Sequence, residues 1–186
     1  MRLRQVGRSL LVAAALVAGL SAAWAQASPS TTDALPLSAF PRERIAVETR
    51  ASFRRVLFEA WRADVPELRG QGLMFVRDDQ MRPDQAMIFV YDPPQPVAMW
   101  MKNTLLSLDM LFVDARGCIV TIKERARPQS LETIESRRPV VLVVEIKAGV
   151  VAQHGIRTGD RVLRLDRKST RLNSSHSDRS RMPSSA

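Results

Sequence analysis

Residues 140–146 read VVLVVEI, a nearly unbroken β-branched run with a single acid inside it. Branched side chains are stiff in a helix and pack well on a pleated strand. A strand that is apolar at every position, rather than at alternate ones, has to be covered on both faces. The chain must therefore build a sheet with material on each side of it.

Shorter apolar runs supply the rest of that sheet. Residues 45–49, 56–61, 86–91 (AMIFVY), 97–102 (VAMWMK), 109–113 (DMLFV), 118–122 (CIVTI) and 161–165 read as strands. Pro93-Pro94 should break one of them. Asp114-Ala115-Arg116-Gly117 joins two runs as a hairpin turn, with Gly117 in the left-handed conformation. Residues 155–160 form a second tight turn flanked by glycines. Helical signals are few. Residues 64–69 (DVPELR) predict a short helix with Asp64 as N-cap, Pro66 in the first turn and Gly70 closing it. Residues 130–136 predict a helical turn capped by Ser130, with Thr133 or Ile134 facing inward, and residues 150–154 one further turn. The expected fold class is mainly β (α+β), a small β-barrel or sandwich-like domain of six to eight short strands with one or two short helices. No internal repeat is present.

The two ends do not belong to that domain. Arg2, Arg4 and Arg8 precede the apolar run 10–20 (LLVAAALVAGL), and Ala25-Gln26-Ala27 completes the layout of a cleavable secretory signal over residues 1–27. The run of 11 residues falls short of the roughly 20 that a spanning helix needs. No Cys follows it to carry a lipid. Residues 28–43 read as a Ser/Thr/Pro-rich linker and residues 44–166 as the domain. Residues 167–186 hold seven Ser and almost nothing apolar, so they read as a disordered, non-native tail. The expected address is periplasmic or secreted, with no membrane span after signal cleavage.

This division changes the meaning of the net charge of +9. Residues 1–27 carry +3 and residues 167–186 carry +4, which leaves +2 for everything between. A nearly neutral domain offers no basic footprint for nucleic acid. The lone cysteine, Cys118, excludes an intramolecular disulfide and is expected as a small buried hydrophobe. With Cys118 alone and His154 the only histidine outside the tail, a zinc or transition-metal site of usual ligation cannot be assembled. No glycine-rich phosphate loop or Gly-x-Ser-x-Gly is present, and no cofactor is called for. His154, beside Gly155 in a turn, is expected at the surface.

The informative stretch is Trp100-Met101-Lys102-Asn103-Thr104, followed by Asp109. Alternation places Trp100 and Lys102 on one face and Met99 and Met101 on the other. Asp109 opens the next strand on the face of Leu111 and Val113. Glu145, inside the apolar run, needs a partner because a buried unpaired carboxylate costs several kcal/mol. Lys102 is the candidate partner for Asp109 or Glu145. Such a group is either a structural ion pair or a ligand site. In the second case Trp100 is an apolar or stacking wall, Lys102 and Asn103 are donors, and Asp109 and Glu145 are acceptors.

Arg69-Gly70-Gln71-Gly72-Leu73-Met74-Phe75, Met87-Ile88-Phe89 and Trp100-Met101-Lys102-Asn103-Thr104 with Leu108-Asp109 resemble the DUF192 (UPF0127) family. Pro128 and Ser130, Val144-Glu145 with Gly149, Gly155-Ile156 and Gly159-Asp160 continue the likeness in order, over about residues 45–165. Ala86, Met99 and Ser107 stand where the family usually has Gly, Phe and Pro. The resemblance implies a small β-barrel-like domain, often exported, and supplies no mechanism. Three functions follow as expectations: first a binding module for a small polar ligand such as a carbohydrate, then a protein–protein interaction domain of the cell envelope, then a hydrolase or lyase using Asp109 and Glu145 as acid and base.

Overall fold

The computed structural model describes residues 34–165. The signal and the tail expected at residues 1–27 and 167–186 lie outside the described residues. Of the expected linker, residues 34–43 are described. They contain a 3-10 turn at Leu37–Ala39, the buried Phe40 and the start of the first strand. The packed domain thus starts before residue 44, because Phe40 joins the core.

Nine strands and two short helices follow in the order β1 (Arg42–Thr49), β2 (Arg54–Ala63), α1 (Pro66–Gln71), β3 (Gln85–Gln95), β4 (Ala98–Met99), β5 (Leu108–Val113), β6 (Ile119–Ala126), β7 (Ile134–Glu135), β8 (Val140–Lys147), α2 (Val150–His154) and β9 (Arg161–Leu165). Seven strands make one sheet in the order β6-β5-β8-β3-β2-β1-β9, while β4 and β7 pair apart from it. All neighbours in the large sheet are antiparallel except β2 and β3. A parallel pair needs a crossover, and residues 64–84, including α1, provide it.

The sheet curls until its ends meet. Cys118 bridges Arg161, and the Val162 N–H donates to the Gly117 carbonyl at 2.8 Å. The result is a half-barrel. Its concave face holds Ile45, Phe58, Ile88, Leu111, Val144 and Ile146, together with Ile119 and Val162 from the two closing edges. Val150 and Val151 of α2 plug that side. The convex face carries Trp61, Met87, Phe89, Met110, Phe112 and Val143. Leu73, Val76 and Met81 of the crossover cover it, with Met99, Met101 and Leu106 from the stretch before β5. Each such side chain contributes about 1.5–3 kcal/mol by leaving water. The run in β8 is apolar throughout because one core lies on each side of it.

Several local expectations are corrected. The first helix begins at Pro66, with Val65 as an N-cap that makes no side-chain bond, and it ends at Gly72 rather than Gly70. Asp64 is instead held by Arg62, whose Nε lies 2.8 Å from its carboxylate. β3 continues through Pro93-Pro94, but its register with β8 breaks between Val90 and Gln95. Proline has no N–H to give a ladder, so the strand survives there only as extended backbone. Residues 97–102 supply just the two-residue β4, and residues 130–136 form β7 rather than a helical turn. Cross-strand pairing of Ala98 with Glu135 and Met99 with Ile134 outweighs the local helical signal. Cys118 is only half-buried, because it sits where the barrel edges join.

Candidate functional site

Strand parity decides which polar residues can meet. Glu145 lies opposite Met87 of β3 and Met110 of β5, so it projects from the convex face. Asp109 lies opposite Ile146 and projects from the concave face. The two carboxyl groups expected to act as acid and base are therefore on opposite sides of one sheet. That pairing is removed, and with it the hydrolase or lyase that depended on it.

Asp109 has a different occupation. It is fully buried, and its carboxylate accepts from the N–H groups of Arg125 at 2.8 Å, Gly149 at 2.9 Å and Val151 at 3.0 Å. Gly149 is the N-cap of α2 and has no side chain to bond the exposed amides of the first turn. Asp109 supplies that acceptor from across the fold, with a negative charge at the end of the helix that favours it. Its carboxylate is occupied by three backbone N–H groups, and it is not among the lining residues of the cavities described here.

Glu145, by contrast, opens onto one. A cavity of about 110 Å³ is bounded by Arg69, the loop after α1, Phe89 and Tyr91 of β3, Met99 and Trp100, Lys102 and Glu145. Gly72 lets the loop lie flat on the sheet. Its φ is +48°, and a Cβ there would come within 2.9 Å of Phe89 Cζ. Arg69 ties the loop to β3, its Nη1 donating to the carbonyls of Asp64 at 2.7 Å and Val90 at 3.0 Å. The same guanidinium lies 5.4 Å from the centre of the Tyr91 ring. The opposite wall is braced by backbone, with the Phe75 N–H donating to the Asn103 carbonyl at 2.8 Å and the Met101 N–H to the Ser130 carbonyl at 3.0 Å.

The sequence alternation holds in this stretch: Trp100 and Lys102 are exposed, Met99 and Met101 buried. Trp100 remains 51% exposed at the mouth, with the Lys102 ammonium 5.2 Å from its ring centre. Lys102 pairs with neither acid, contrary to expectation, because in the turn at 102–103 its side chain is exposed and lies over the Trp100 ring. Asn103 does not line the cavity. Its backbone takes a positive φ of 55°, and its side-chain amide faces Met74 Sδ at 4.0 Å. It shapes the wall from behind.

Glu145 keeps 4% of its surface exposed, and no described residue gives it a hydrogen bond or an ion pair. Burial pushes its carboxyl from the ordinary 4.5 up to about 8. At neutral pH it is therefore chiefly a neutral acid that can both donate and accept. Burial pushes the Tyr91 phenol up to about 12, with the Arg69 guanidinium pulling it down and Glu145 adding to the rise. The Tyr91 hydroxyl reaches only Met99 Sδ, at 3.7 Å. Three larger hollows, of about 500, 390 and 320 Å³, are lined by no buried titratable side chain.

Of the expected site residues, the fold thus brings together Trp100, Lys102 and Glu145, sets Asn103 behind the wall, and removes Asp109. Sequence reasoning missed Arg69, Gly72 and Tyr91. A signal for Tyr91 existed, since it is the only tyrosine in the chain and ends an apolar run. Among the described residues no group of three or more His, Cys, Asp or Glu could hold a metal ion, and no helix is long and apolar enough to cross a membrane.

The class of protein is a small, mainly-β domain built on a curled half-barrel sheet. The profile of the DUF192 family, described as "Uncharacterized ACR", matches residues 47–163, and the chain belongs to that family. Among solved structures it is similar to a protein from Sinorhizobium meliloti 1021 described as a proposed transcription regulator. That match has 45% identity and a TM-score of 0.64, over 67% of this chain and 95% of that one. It is also similar to a protein of unknown function from Novosphingobium aromaticivorans DSM 12444, with 29% identity and a TM-score of 0.65, over 69% of this chain and 89% of that one. No curated protein matches the chain in sequence.

Proposed function

We propose that the protein is an exported binding module for a small polar ligand, held in the cavity between Trp100 and Glu145. The observation that carries this reading is Glu145: a nearly buried carboxyl with no partner, facing a cavity. Its oxygens are not sealed within protein but open onto the cavity, so a ligand there can bond them directly. The wall residues fit the role, with an aromatic face at the mouth and a few convergent polar groups within. At about 110 Å³ the cavity is well below the roughly 300–1,000 Å³ of clefts for drug-sized ligands, so the occupant is small. The cavity offers no second carboxylate to act with Glu145, which favours binding over hydrolysis.

Thermal-shift screening of the purified domain against sugars, sugar acids and small organic acids tests this. A ligand that raises the melting temperature of the wild type should leave Trp100→Ala unmoved, while the unliganded variant melts within about 2 °C of wild type because Trp100 is half exposed. A wild type unmoved by every ligand refutes the reading. Export is tested separately: N-terminal sequencing of protein made in a bacterial host should begin at Ser28, and an intact residue 1 refutes it.

A further inference from the structure

The charges around the cavity are unbalanced. Among the described residues, Glu145 is the only acid in its lining. Two cations face it from other elements: Arg69 at the end of α1 and Lys102 in the turn after β4. Arg69 bonds two carbonyls and lies near the Tyr91 ring, and no acid among the described residues neutralises it. Among the described residues, the Lys102 ammonium has only the Trp100 ring beside it. On the sheet itself Glu145 is flanked by Met87 and Met110, and Tyr91 of β3 is the remaining titratable group.

Resting on the binding reading above, we propose that the ligand is a small hydroxylated carboxylate: its carboxylate meets Lys102 and Arg69, and a hydroxyl meets Glu145. A neutral polyol would make no use of the two cations' charge. An amine would have to pass both before reaching the acid. An anion neutralises the cations without requiring Glu145 to ionise, and the acid, neutral at pH 7, donates to the ligand oxygen and accepts from its hydroxyl. Short hydroxy acids and sugar acids share this chemistry; the first fit within the cavity, whereas a sugar acid would extend past its mouth alongside Trp100.

Calorimetry with glycerate, glucuronate, glucose and glucosamine separates the cases. One of the two carboxylates should bind at pH 7 at least tenfold more tightly than glucose, with glucosamine weakest. Glycerate as the tighter carboxylate assigns a hydroxy acid, and glucuronate a sugar acid. Lys102→Met, at an exposed position, should fold as wild type and lose that preference at least tenfold. Between pH 7 and 9 the carboxylate should weaken about tenfold, because an ionised Glu145 repels it. Glu145→Gln should abolish that pH dependence, whatever affinity it retains at pH 7. Tighter binding of glucose or glucosamine, or carboxylate affinity that holds or rises to pH 9, overturns the assignment and leaves the cavity a binding site. Silence from all four probes overturns the assignment. If the wider screen is silent as well, the binding reading fails with it.

Discussion

Replacing Glu145 by Gln removes a titration without removing much shape, so it isolates what burial does to this acid. The folded protein holds the carboxyl proton up to about pH 8, whereas an unfolded chain releases it near the ordinary 4.5. Below that lower value both states are protonated and the acid imposes no pH-dependent cost. As the pH climbs through the window the unfolded state sheds the proton and the folded state does not, so stability is lost at about 1.4 kcal/mol per pH unit. The loss levels off once the folded carboxyl ionises, near pH 8. At 4% exposure there is little water to screen the effect, and across the window it amounts to about 5 kcal/mol. Lowered carboxylates elsewhere, Asp79, Asp84 and Asp114, push the pH profile the other way at acid pH. The quantity to measure is therefore the difference between wild type and Glu145→Gln. Urea unfolding at intervals from pH 4.5 to 9 should show the variant gaining on wild type steadily up to about pH 8 and then no further. A difference that stays flat across that range would mean that Glu145 has a partner, and the argument for an unsatisfied acid in the cavity would collapse.

Other substitutions test the scaffold. Asp109→Asn keeps one acceptor oxygen but turns an amide toward N–H donors, and should cost about 2–4 kcal/mol in urea unfolding. A cost under about 0.5 kcal/mol would show that Asp109 does not anchor α2. Gly72→Ala forces a Cβ onto Phe89 at a strained φ, and should cost about 1–3 kcal/mol and weaken any ligand of the cavity. Unchanged stability there would show that the loop stands off the sheet.

Much of the domain was legible because its signals are local. The β-branched run over 140–146 demanded cover on both faces, and the fold provides a core on each side of β8. The turn at 114–117 forms as its residues require, with Gly117 at φ 79° and Asp114 accepting from the N–H groups of Arg116 and Cys118. The alternation of Met99 to Lys102 also held, since one face of that stretch lies on the core. Residues 130–136 were not legible: their strand exists only because residues 98–99 lie beside them.

The chain's own pattern of runs and turns determined a mainly-β domain of short strands, and marked Trp100, Lys102, Asp109 and Glu145 as residues needing an explanation. Tertiary structure alone decided which of them could meet. Neighbouring strands show side chains to two faces, and no single segment records which of its faces will share a space with a residue forty positions away. Register put Asp109 beneath a helix end and Glu145 beneath an opening. Two acids alike in sequence thereby became a structural anchor and a candidate contact.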